Sequence, residues 1–468
     1  MRGENASPRL SRLLPWYLLA LMALLAPWLL GGRAPQAYAI LGVLAWASAL
    51  FSLVGILMEH WDWRHFAEFE QRRGGGRPSP LKKFTLGLLR VWPLWLFVLM
   101  LFWSVLNPAY DRSGDTLMAR EFNPDWPLVV DPTRSLPGIW FLGGLLTAVG
   151  VLSNPACRPR PRWIRTILGI LLANAMILVV TGLVFRFSGS ELILGRYAPR
   201  ADYFFATFYY KNHWAAYALL YTGVAGFFFF RDLPRWFEHA RQAGSGGLAL
   251  VALLFFGLSL PVVDSRSGIL LFAAWMFLFA STLYRRLRGT RARAWVMGLA
   301  GVVMVALATL SVADLRANWH RTEQQMERAD SVLFDSIRAY HAPEVCLGML
   351  RDRPLLGWGY LSYDPLFPVY ATDFFRDKEG RLTSDMEFAH NDWLQHLAEF
   401  GLLGSFLLVA GFVSLPRPRS ESADPVPVRF IRYSLLLLGV FALWDFPFSN
   451  PAVLANAVVL AIMARCLR

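Results

Sequence analysis

A histidine, an asparagine and an aspartate stand in a row at His390-Asn391-Asp392, between the longest polar stretch of the chain and a hydrophobic run from Leu402 to Leu415. A neutral imidazole near pH 7 can take a proton from a hydroxyl. The start of a helix favours that neutral form, because its unsatisfied backbone N–H groups make the local potential positive. His390 is expected in the first turn of such a helix, with Asn391 or Asp392 as its cap. The plainer alternative is an interfacial histidine with no chemistry. His396, one or two turns deeper, is expected to pack or to bond Glu399.

Arg266 stands in Asp264-Ser265-Arg266-Ser267-Gly268, between two apolar runs with almost no loop. A charge this close to hydrocarbon needs a partner or a purpose. Asp264 is the obvious partner. The functional reading is an anion site, since arginine binds phosphate through two parallel N–H groups and keeps its charge. Arg338, in Asp335-Ser336-Ile337-Arg338, is by itself an ordinary loop arginine. Lys211-Asn212-His213 opens another apolar run and reads equally as a cap with a snorkelling lysine. Together they say more. A base beside several cations suits a hydroxyl attacking a carbon that bears a phosphate leaving group, the cations doing the work a metal would otherwise do. No Asp-x-Asp pair stands among the outward segments, and no phosphate-binding glycine pattern occurs. A mechanism free of metal, nucleotide and other cofactors is expected.

The elements that must hold these residues are membrane helices. Of 468 residues, 56% are hydrophobic and only 17% charged, a composition of long apolar runs joined by short basic loops. Twelve spans are expected, near 14–30, 37–58, 86–106, 136–152, 163–185, 213–230, 247–263, 267–284, 295–312, 396–414, 430–445 and 450–465. Charge tests that count. The N-terminus, 64–83, 158–165, 231–241, 285–293, 417–432 and 465–468 are the strongly basic segments, and all fall on one side. That side is the cytoplasm, with both termini on it. The formal net charge of +13 follows from this asymmetry and calls for no nucleic acid.

Ala37-Tyr38-Ala39 resembles a signal-peptidase site, but the long first span with Pro and Trp inside it reads as a retained helix. Trp61, Trp63, Phe66 and Phe69 suggest a short interfacial helix. Cys157 and Cys466 are placed on one side of the membrane and Cys346 on the other, with no disulfide. The chain then divides into spans 1–9 over 1–312, a long outward loop over 313–395 with short helices, and spans 10–12 over 396–468. Within the loop, 331–350 reads as helical, interrupted at Pro343 and stopped by Pro354.

Five motifs follow one another in order: Phe208-Tyr209-Tyr210-Lys211-Asn212-His213-Trp214, Asp264-Ser265-Arg266-Ser267-Gly268, Arg351-Asp352-Arg353-Pro354-Leu355-Leu356-Gly357-Trp358-Gly359, Ala389-His390-Asn391-Asp392-Trp393-Leu394-Gln395, and Asp445-Phe446-Pro447-Phe448-Ser449-Asn450-Pro451. Together they resemble the O-antigen ligase and polymerase superfamily of bacterial envelope proteins, over roughly residues 200 to 460. The resemblance implies an all-α integral inner-membrane protein with about twelve transmembrane helices and a periplasmic active site. It implies an inverting, metal-independent glycosyltransferase whose donor is a glycan on undecaprenyl diphosphate. The acceptor would be a lipid-A core sugar in a ligase, another lipid-linked glycan in a polymerase, or a protein side chain in the oligosaccharyltransferase branch. By the same resemblance His390 activates the acceptor hydroxyl, and Arg266 and Arg338 hold the diphosphate; Lys211, Asn212, Asn391 and Asp392, at the same helix starts, are expected to bind substrate. A ligase is the expectation, a polymerase the near alternative. A polysaccharide flippase or transporter without catalysis is the more distant one.

Overall fold

The computed structural model describes residues 10–71, 79–113, 116–198, 204–238, 244–288, 298, 341–383, 385–416 and 425–467. Helices dominate. In chain order they are α1 (Leu10–Trp28), α2 (Ala37–Gln71), α3 (Pro80–Arg90), α4 (Trp92–Ser104), α5 (Pro132–Leu152), α6 (Pro161–Phe187), α7 (Lys211–Glu238), α8 (Gly244–Val262), α9 (Arg266–Arg286), α10 (Ala342–Asp352), α11 (Tyr363–Tyr370), α12 (Asp392–Ser414), α13 (Val426–Phe441) and α14 (Pro451–Cys466). Strands β1 (Tyr110–Ser113) and β2 (Thr116–Ala119) form an antiparallel hairpin, the only sheet among the described residues.

Six helices are long and apolar enough to cross a membrane, lying in α2, α5, α6, α7, α9 and α12. Shorter apolar helices at Arg12–Trp28, Gly246–Val262 and Pro451–Cys466 fall where spans were expected, as does α13. The twelve expected spans are thus met in part. The ninth, 295–312, lies outside the described residues except for position 298. The third, 86–106, is two helices, α3 and α4, bent by 68°. Pro93 stands in the first turn of α4, and a proline ring cannot continue a helix arriving from the previous turn. The interfacial helix expected around Trp61 and Trp63 is not separate. α2 runs unbroken for 35 residues and contains it.

α7 is the axis of the bundle. Its apolar window is entirely buried, and α6, α8, α9, α13 and α14 pack around it. A helix apolar on every side has to be a core helix. Its Phe230 stacks on Phe430 of α13 with ring centres 4.4 Å apart. The Gly-rich α5 is also mostly buried. The Phe102, Trp46 and Trp95 rings lie within 2.4–2.7 Å of where a Cβ would stand on Gly143, Gly144 and Gly150. The glycines that make this helix look weak in sequence are the sockets for its neighbours.

A second core lies beyond the bundle. Val345, Cys346 and Met349 of α10, Leu366 and Phe367 of α11, and Phe375 pack on Leu128 and Val130, which precede α5. The long loop therefore shares its core with the 107–131 segment, which sequence reading passed over. Pro343 stands in the first turn of α10; residues 331–340, where the expected helix begins, lie outside the described set. The first turn is where proline is tolerated, because its missing N–H has no partner there anyway.

α12 is broken at Gly401, whose backbone (φ 64°, ψ −175°) is open in practice to glycine alone. The Pro354–Gly359 motif fills the break. The N–H groups of Trp358 and Gly359 donate to the carbonyls of Ala398 and Glu399, at 3.2 and 2.7 Å. In return, the N–H groups of Leu402 and Leu403 donate to the carbonyls of Pro354 and Leu355, at 2.8 and 2.9 Å. These four bonds replace partners that the unwound turn gives up within the helix, and they fix the outer unit to the helix that follows His390.

Candidate functional site

Helices α5, α7, α9, α12 and α14 all begin at the end of the bundle that faces the second core. Four of these starts carry side-chain caps. Asp131 accepts from Thr133 N–H, Ser265 from Gly268 N–H, Asn391 from Leu394 N–H and Asn450 from Val453 N–H. Each cap satisfies an orphan donor and sets where its helix begins. Several helix N-termini gathered in one place give that end a positive potential suited to an anion.

The motifs meet through Asp445. Its carboxylate accepts from Asn212 Nδ2 and from the Tyr210 hydroxyl at 3.3 Å, and from the N–H of Phe446 at 2.9 Å. The carbonyl oxygen of Asn212 accepts from Ser265 Oγ at 2.8 Å. Lys211 pairs with Asp264 at 3.3 Å. One chain of polar contacts therefore joins the starts of α7 and α9 to the turn between α13 and α14. That turn exists because α13 ends at Phe441, earlier than the expected 445, which frees Asp445 and Phe446.

His390 is buried and stands just before the N-cap Asn391, not in the first helical turn as expected. Its backbone is left-handed, with φ 52°. That conformation is uncommon outside glycine and is held by the surroundings. Ala389 N–H donates to Gln395 Oε1 at 3.0 Å on one side. On the other, Asp392 N–H reaches the carbonyls of Ala442 and Asp445 at 3.0 and 3.3 Å. The imidazole meets Phe446 edge to face, 4.7 Å between ring centres. Phe388 and Tyr210 each stack nearly parallel to that same phenylalanine, at 4.6 and 5.2 Å. His396 packs on Phe400, and the Glu399 carboxylate instead accepts from Gln395 Nε2.

The other expected site residues divide by exposure. Arg266 is exposed at the first position of α9. Asp264 is taken by Lys211, so the simple pairing of Asp264 with Arg266 is not what forms. Arg338 lies outside the described residues. Asn212 and Asp392 are buried, and both are spent on the fold. Asp392 accepts from the N–H of Phe448 and the hydroxyl of Ser449, each at 2.6 Å, and so clamps the Asp445–Asn450 turn to α12. Asn391 is the cap of α12. These three hold the backbone around His390 and Arg266.

Sequence reading missed a second cluster. Arg33 follows α1 and Arg134 opens α5; both pair with Glu387, and Arg134 also with Asp364. They frame a cavity of about 200 Å³ that also touches Phe388, Gln395 and Glu399. A signal was present: both arginines fall on outward loops, against the side on which the chain otherwise collects basic residues. Two groups flank this region. Burial acts to raise the Asp131 pKa, but hydrogen bonds from Thr133 and Arg112 outweigh it and hold the carboxyl below its ordinary range. Burial lowers the pKa of Arg353, which binds the carbonyls of Gly357 and Trp126 and so braces the Pro354–Gly359 turn.

Residues 249–409 match the family model described as O-antigen ligase. The matched region runs from α8 into α12 and contains Arg266, the Pro354–Gly359 motif and His390. It bears out the resemblance to the O-antigen ligase and polymerase superfamily. No curated protein matches the chain.

Proposed function

We propose that this chain is a membrane glycosyltransferase of the O-antigen ligase type, moving a glycan from a lipid diphosphate to an acceptor hydroxyl. The observation that carries the proposal is the convergence of Lys211-Asn212, Ser265-Arg266, His390 and Asp445-Phe446 on one end of the helical bundle, in a region that overlaps the family match. His390 is the general base, taking the proton from the acceptor hydroxyl. The oxygen so activated attacks the anomeric carbon of the donor sugar. The bond to the diphosphate oxygen breaks, and the lipid diphosphate leaves with the bonding electrons. Arg266, with Arg338 as its partner, meets the charge that develops there; donors placed in advance at a developing anion contribute most in a dry site. The gathered helix starts add positive potential, while Lys211, paired with Asp264, ties the starts of α7 and α9 together. Asn212, Asn391 and Asp392 act as positioning residues.

The donor carrier in this reading is undecaprenyl diphosphate, the membrane is the bacterial inner membrane, and the chemistry is on its periplasmic side. The acceptor is the sugar of a lipid-A core. Purified protein in lipid, given an undecaprenyl-diphosphate-linked oligosaccharide in EDTA with and without lipid-A core, tests all of this. Product only with the core is the expected result. A ladder of longer lipid-linked chains without the core would make the chain a polymerase. No product from any pair, despite intact binding of the donor, would contradict transfer and favour transport.

A further inference from the structure

The cavity framed by Arg33 and Arg134 has a composition that selects its occupant. At about 200 Å³ it is smaller than the roughly 300–1,000 Å³ of sites for drug-sized ligands, which limits it to about one ring. Its wall mixes guanidinium, carboxylate, amide and hydroxyl groups, from Arg134, Glu387, Asp364, Glu399, Gln395 and Ser449. Its apolar surface includes Tyr38 and Phe388; the Phe388 ring stacks on Phe446 and is covered by Arg33 at 5.3 Å. Planar groups that present donors and acceptors in pairs match vicinal hydroxyls.

Charge excludes the other main candidate. Arg33 pairs with Glu387, and Arg134 pairs with Asp364 and reaches Glu387 at 3.8 Å. Glu399 adds a third carboxylate. Even with Glu399 protonated, each guanidinium is matched, and no net positive charge remains for a phosphate. The exposed Arg266, in contrast, has no carboxylate partner among the described residues. Neutral sugar and diphosphate therefore belong to different ends of the site. Phe388 links them: it lines the cavity and stacks on Phe446, the ring against which His390 rests.

We propose that this cavity is a subsite for one neutral sugar ring of the acceptor glycan. The assignment to the acceptor rests on the transfer reaction proposed above, because an inverting attack places the incoming hydroxyl on the face of the donor sugar away from the diphosphate. The subsite itself is tested without turnover, by saturation-transfer NMR on the full chain in detergent. The probes are glucose, galactose and N-acetylglucosamine at millimolar concentration, with inorganic diphosphate as the charged control. Saturation of at least one sugar is expected. It should fall about tenfold in Glu387→Gln and Asp364→Asn, the order expected when a charge-assisted hydrogen bond is lost. It should vanish in Ala34→Phe, which fills the cavity, and persist in Arg266→Ala. Gel filtration of each variant verifies the fold, and the two isosteric variants carry the test if Ala34→Phe does not fold. No sugar signal, a signal unchanged in the cavity variants, or displacement of the sugar by diphosphate would each overturn the subsite. Sugar bound here in a protein that transfers nothing would uphold the subsite and sink only the reaction.

Discussion

His390 and Arg266 are held in different ways, and each makes its own prediction. His390 is buried, left-handed and anchored on both flanks, so its ring has a set place. Arg266 is fixed only at its backbone, by the Ser265 cap, and its side chain is left to meet a ligand. If it meets a diphosphate, geometry matters as much as charge, because a lysine ammonium cannot make two parallel contacts. Arg266→Lys should lower kcat by about 10²-fold, the size of effect seen when one donor to a developing anion is removed. Turnover near wild type would mean that Arg266 serves only as a general positive charge. Both residues were legible because their types are costly where they stand. Phe446 was not, since one phenylalanine among 35 carries no chemical signal; only packing shows that four aromatic side chains share it.

At the scale of elements, the break in α12 is the feature that ties the outer unit to the site. A Cβ on Gly401 would lie 2.4 Å from the carbonyl oxygen of Leu355, in a backbone conformation that costs other residues about 1–3 kcal/mol. Gly401→Ala should lower the thermal midpoint by several degrees and cut activity with it. Gly380 is the control: it has φ 78° but nothing within 4 Å of its Cβ position, so Gly380→Ala should cost less. Equal losses from both would mean that the Pro354–Gly359 contact is not what holds the break. Asp131 makes the pH prediction. Its carboxyl is depressed in the folded protein, so its charged form is favoured by folding. That contribution is present above the ordinary carboxylate range, near pH 4, and is lost as pH falls through the lower folded value. Hydrogen exchange should show the start of α5 loosening on acidification in the wild type. In Asp131→Asn that pH dependence should be weaker; an unchanged profile would assign it elsewhere. The motif at 354–359 was visible in sequence, but its partner was not, because an unwound turn inside an apolar helix leaves only a single glycine as its mark.

Among the described residues, hydropathy placed eleven of the expected apolar runs on helices, while length and apolar composition together qualify six as spans, or seven with the bent pair. What hydropathy cannot read is bending. Pro93 divides one run and Gly401 another, and the second break is where the outer unit is fixed. The outer unit was half legible, since its second segment, 107–131, is short and polar and owes its place to a core formed with residues more than 200 positions away. In a variant without its native cysteines, Gly380→Cys should react with an impermeant thiol reagent added outside cells, and Arg288→Cys should not. The reverse pattern would invert the whole arrangement and place His390 in the cytoplasm.

The measurement that bears most directly on the central claim compares wild type with His390→Ala in lipid vesicles, following glycan transfer and donor binding in parallel. If His390 is the base, transfer falls by about 10²- to 10⁴-fold while the lipid diphosphate donor binds as before, because the base is lost and the anion site is kept. Transfer at the wild-type rate in His390→Ala would contradict the account.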